Sequence, residues 1–161
     1  MNIPINRLAL AYRFICSTDD VFSRWGSAVL LLIFRLWISW QFFHAGLLKL
    51  SDWSVTLDLF REEYHVPLLP PAVAAVAGAG GELFFPLLLT LGLFSRPAAL
   101  GLFCVNLMAV ISYPQLWQFD CPAALQSHFY WGAGLILLTI QGSGTISLDA
   151  MLNRLISKRR A

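Results

Sequence analysis

Arg35, Gln41, His44, Lys49, Glu82, Asn106 and His128 are the side chains that could pair charges, carry a proton or hold a ligand within otherwise apolar stretches of this chain. Arg35 and Glu82 are complementary. A lone carboxylate in hydrocarbon is costly or protonated, whereas beside a guanidinium it stays ionised. The expected intramembrane ion pair is therefore Arg35 with Glu82, which would either fix the register of two helices or contribute to a site. Gln41 and His44 lie on a different face of the first helix from Arg35, Phe42, Gly46 and Lys49. With Asn106 and His128 they make a candidate pocket. His44 and His128, completed by Glu82, could be read as a metal site or as a pocket for a polar-headed lipophile such as a quinone. Neither histidine has an i, i+4 partner, so no metal ligand set is assigned, and no residue is assigned a catalytic role. Lys49, near the end of its helix, is expected to snorkel to the headgroups.

The elements that carry these residues follow from composition. The chain has 161 residues, 58% of them hydrophobic and 12% charged, with net charge +2. A soluble domain carries about 25% charge, and the mean hydropathy here is +0.67. The sequence indicates an all-α integral membrane four-helix bundle, a single domain over 1–161 with spans at 28–50, 71–93, 97–113 and 122–141. Each is close to the roughly 17 to 25 residues that cross about 30 Å of hydrocarbon. At 1.5 Å per residue, Arg35 and Glu82 fall roughly one helical turn apart in depth. Glu82 shares a face with Ala74 and Gly78, small residues that favour close helix approach. Pro86 removes the N–H that would bond the carbonyl of Glu82.

Arg7, Arg13, Arg24, Arg96, Arg154, Lys158, Arg159 and Arg160 flank one side of these spans, and Asp52, Asp58, Glu62, Glu63 and Asp120 dominate the other. Both termini are expected in the cytoplasm, with the acidic loops outside. In the first outer loop Trp53, Leu57, Phe60 and Tyr64 make one helical stripe, capped by Asp52 and ended by Pro67. This is a short amphipathic helix, either on the membrane surface or packed as a lid. The N-terminal "INRLALAYRFIC" could lie on the opposite face in the same way. Cys16, Cys104 and Cys121 match no disulfide framework or zinc spacing. There is no basic patch for nucleic acid and no P-loop, dinucleotide or nucleophile motif. The partners indicated are membrane lipids.

The segments "LFRLWISWQFFHAGLLKLSDW" and "PLLPPAVAAVAGAGGELFFPLLLTLGLFSRPAAL" resemble the DoxX family of small four-span bacterial membrane proteins. Arg35, Gly46, Lys49, Glu82, Gly92, Leu93 and Arg96 follow the family's order, and "GSGTISLD" resembles the ending of one branch. "TLDLFREEYHVPLLPP" is similar to the members that accompany multinuclear iron enzymes acting on cysteine-containing peptides. The resemblance implies an inner-membrane accessory or quinone-linked subunit of a redox or metal/sulfur-related system, with redox or peptide-modification proteins as partners. A transporter or export factor for a small solute or modified peptide, and a purely structural anchor, are the alternatives.

Overall fold

The structure, a computed structural model, describes residues 5–118 and 122–159. Asp120, Cys121 and Arg160 lie outside them, as do the side chains of Arg7, Arg13, Cys16 and Arg24. The described chain is α-helical apart from its connections: α1 (Ile5–Ser51), α2 (Trp53–Glu62), α3 (Pro71–Leu91), α4 (Ser95–Ser112), a 3-10 turn at Pro114–Trp117, α5 (Ala123–Gln141) and α6 (Leu148–Lys158). Among the described residues, three stretches are long and apolar enough to cross a membrane: Trp25–Ser51 within α1, Pro71–Leu91 and Ser95–Ser112. α5 is as long as α4 and packs along it. The segment expected as a separate N-terminal surface helix continues α1 without a break.

Local chemistry sets the ends. Asp52 accepts a hydrogen bond from Val55 N at 3.1 Å and starts α2, as its side chain predicts. Pro71 opens α3, where its missing N–H costs nothing. Gly92, at φ 68°, closes α3 in the left-handed conformation. Leu93 N then reaches Leu88 O at 3.0 Å and Gly92 N reaches Leu89 O at 3.1 Å, the Schellman arrangement that satisfies the final carbonyls.

α1 packs chiefly on α3, α3 on α4, and α4 on α5. Ile38 and Phe42 of α1 meet Leu89 of α3, Ala98, Ala99 and Leu102 of α4, and Leu135 and Leu138 of α5 in one buried core. A second cluster joins Phe60 of α2 to Ala74 and Ala75 of α3, with Trp53, Leu57, Tyr64 and Val66 around them. The predicted stripe on α2 is therefore turned onto the bundle, and α2 is a lid over the end of α3.

Candidate functional site

Gly46 brings α1 close enough to α3 to define the site. A Cβ there would fall 2.9 Å from Leu83 Cγ and 3.1 Å from Glu82 Cβ, so a side chain would force the helices apart. One turn later Lys49 lies on the same side, and its Nζ donates to Glu82 Oε1 at 2.9 Å and Oε2 at 2.7 Å. The pair is largely buried, with side-chain exposures of 18% and 10%.

This pair forms the polar floor of a cavity of about 290 Å³ between α3 and α4. Ala77, Gly78, Phe85, Val105 and Ala109 supply apolar wall, while Phe60, Tyr64 and Val66 cover the α2 end. Ala77, Cys104 and Met108 also line the cavity and are exposed on the outer surface of the helices. The cavity thus opens sideways, along the surface that faces lipid if these helices span a bilayer. Ser112 lines it too, and its hydroxyl is buried without a hydrogen-bond partner. Phe60, Tyr64 and Tyr113 stack in sequence at 4.7 and 4.9 Å between ring centroids. Burial first, and then the charge of Glu82 with Tyr113 and Glu63 nearby, pushes the Tyr64 phenol up to about 12. The roof is therefore neutral at physiological pH.

The expected pairing of Arg35 with Glu82 is not formed. Lys49 occupies the carboxylate, and it turns inward instead of snorkelling. Arg35 lies fourteen residues earlier on α1, roughly 21 Å along the axis, and is met by carbonyls at the other end of the bundle. Its Nη1 donates to Ser143 O at 2.8 Å, and Nη2 to Ile146 O at 3.1 Å and Thr90 O at 3.4 Å. Carbonyl dipoles from the loop after α5 stand where a carboxylate was expected. The same loop continues into Asp149, whose carboxylate accepts from Phe94 N at 2.9 Å, Ser95 N at 3.0 Å and Ser95 Oγ at 2.9 Å. Asp149 thereby caps α4 from another part of the chain. Burial pushes this carboxyl up, but the hydrogen bonds from Ser95, Phe94 and Ser143 outweigh it and hold it below the usual range.

The candidate pocket of Gln41, His44, Asn106 and His128 is only partly assembled. Asn106 Nδ2 donates to His128 O at 3.0 Å, and Asn106 Oδ1 lies 2.8 Å from His128 Nδ1. A carbonyl and an amide oxygen can only accept, so Nδ1 carries the proton. The imidazole is further held edge-on to Trp131, with centroids 5.1 Å apart. This is a clamp between α4 and α5. His44 is exposed beside Trp40 and Gln41 is half-buried, and neither is among the hydrogen-bond or ring partners of that clamp. Among the described residues no group of three His, Cys, Asp or Glu is placed to hold a metal ion.

Sequence reasoning missed Lys49 as the partner of Glu82, although its position one turn after Gly46 was a usable signal. It also missed Ser112 and the carbonyls around Arg35, because backbone acceptors leave no mark in residue type. Comparison with known proteins gives the family model described as DoxX, matching residues 30–114. A protein of Haemophilus influenzae described only as uncharacterized is 30% identical over 132 residues, covering 80% of this chain and 87% of its own. No solved structure matches.

Proposed function

Because this chain belongs to the DoxX family, we propose that it is an accessory, quinone-linked subunit of a redox or metal/sulfur-related system in the bacterial inner membrane, with the α3/α4 cavity holding a polar-headed lipophile. The observation that carries this reading is an apolar, sideways-opening cavity whose floor is the Lys49 and Glu82 pair. Such a combination of apolar wall and few polar groups suits a lipid-soluble ligand. Lys49 has three N–H donors and Glu82 occupies at most two of them. The remaining donor, and the free lone pairs of Glu82, can address a carbonyl or hydroxyl on the ligand's head. About 290 Å³ is enough for a ring and a short length of tail, near the lower end of ligand pockets at roughly 300 Å³. The rest of the tail would extend past Cys104 and Met108 into lipid.

The sideways rim favours this reading over a transporter, whose solute has to enter from water. The four-span arrangement, with α5 as the fourth span, belongs to the same proposal. Its test is purification in mild detergent followed by solvent extraction and mass spectrometry, comparing the native protein with Ala77→Trp, which fills the entrance. A polar-headed lipophile recovered stoichiometrically from the first and lost from a folded second variant is the expected result. Equal recovery from both, or no lipophile together with solute flux in proteoliposomes, overturns it.

A further inference from the structure

α6 is separate from the cavity and makes no use of it. Ser147 caps the helix through Ala150 N at 3.1 Å, and Asp149 N donates to Gly92 O at 2.9 Å. With the Asp149 carboxylate on Phe94 and Ser95, these contacts fix the first turn of α6 against the α3/α4 turn. Beyond that turn the helix leaves the bundle, and no residue of it is buried. Met151, Leu152, Leu155 and Ile156 are exposed to between 42% and 53%. At 3.6 residues per turn they and Leu148 fall within an arc of about 140°. Asn153, Ser157, Arg154 and Lys158 fill the opposite side, with the two basic residues at one border of the apolar arc.

We propose that α6 lies in the membrane interface, its apolar arc among the acyl chains and its basic border on anionic lipid headgroups. Three observations select a lipid surface as the occupant. α6 is anchored at the turn between two helices that can cross a membrane, which is the level where hydrocarbon gives way to headgroups. The residues that flank its anchor point, Leu91 at the end of α3 and Phe94 in the turn, are themselves exposed and apolar. Arg154 and Lys158 on the helix, followed by Arg159 at its C-cap, are opposed on α6 only by Asp149, which is already engaged by the cap of α4. An amphipathic helix with basic residues at the edge of its apolar face is the arrangement that binds interfaces by combined burial and charge, and each basic residue near an anionic surface adds to the attraction.

The test uses the full chain with its three cysteines replaced by serine and single cysteines returned at Met151, Asn153, Leu155 or Ser157 for spin labelling. Each protein is reconstituted in bilayers of phosphatidylcholine with or without phosphatidylglycerol. In the anionic bilayers, labels at Met151 and Leu155 are expected to be accessible to oxygen and shielded from a water-soluble nickel reagent, with the reverse at Asn153 and Ser157. Replacing Arg154, Lys158 and Arg159 by glutamine should shift the first two labels toward water, as should omission of phosphatidylglycerol. Labels at Met151 and Leu155 that stay aqueous in both bilayers overturn the proposal. So does shielding that appears only when a soluble protein fraction is added, which would assign the face to a protein partner. Depths indifferent to lipid charge and to the glutamine variant overturn the anionic headgroup assignment.

Discussion

At the scale of single residues, the competition for Glu82 is decided by distance and desolvation. Two unit charges about 4 Å apart attract by roughly 4 kcal/mol in a medium of intermediate dielectric, and the attraction weakens with separation. Lys49 Nζ at 2.7 Å has the advantage over a guanidinium held by carbonyls elsewhere on α1. Snorkelling would leave the carboxylate without a cation, so the lysine turns inward. Removing one member of such a buried pair costs about 3 to 5 kcal/mol, because the other stays buried and unpaired. Lys49→Met is expected to destabilise the protein by that order in detergent unfolding. Glu82→Gln should cost less, since a released Lys49 lies close enough to its helix end to reach the headgroups. The exchange Lys49→Glu with Glu82→Lys should recover much of the loss, whereas Arg35→Glu with Glu82→Arg should not. Recovery in the second exchange and not the first would invalidate the pairing.

At the scale of elements, residues that resemble the family's scattered motifs gather into two groups. Lys49 and Glu82 make the cavity floor, with Gly46 holding α1 close to α3 beside them, while Arg35, Gly92, Ser147 and Asp149 lock the loop after α5 to the α3/α4 turn. Gly92 shows how tight the lock is: a Cβ there would lie 2.6 Å from Ser147 Cβ and 2.9 Å from Arg35 Nη1. The strength of this lock is pH-dependent through Asp149. Its folded carboxyl titrates below the unfolded one, so its stabilisation is present above about pH 4 and is lost as pH falls through the depressed folded value. Asp149→Ala should cost about 1 to 2 kcal/mol near neutrality, as for other helix caps. The gap between native and variant melting temperatures should narrow on acidification, and a gap constant from pH 7 down to pH 3 would remove the cap from the account. Much of this architecture was readable in advance. Pro71 and the glycine at 92 bound α3, Asp52 marks the start of α2, and the first three apolar runs fall on the helices long and apolar enough to cross a membrane. The lock was not readable, because Arg35 is satisfied by backbone oxygens, which every residue has. α6 escaped notice because eleven mixed residues are too few to span, and its apolar arc emerges only once a helix is assumed.

At the scale of the molecule, the two groups sit at opposite ends, and each end has its own charge. Arg96, Arg154, Lys158 and Arg159 surround the end that carries the lock, while Asp52, Asp58, Glu62 and Glu63 accompany α2 with Arg61 among them. Basic residues in short connections are retained on the cytoplasmic side, so the lock and α6 are proposed to face the cytoplasm and the α2 lid the outside. α6 would then meet the leaflet surface whose anionic lipids give it a negative potential. Charge placement and the chemistry of α6 thus favour the same proposed orientation. The check is a membrane-impermeant maleimide applied to intact cells carrying the cysteine-free chain. A cysteine at Asp58 should label directly, whereas one at Asn153 should label only after the membrane is opened. The inverse pattern would place α2 inside, remove the charge argument and set α6 against the other leaflet.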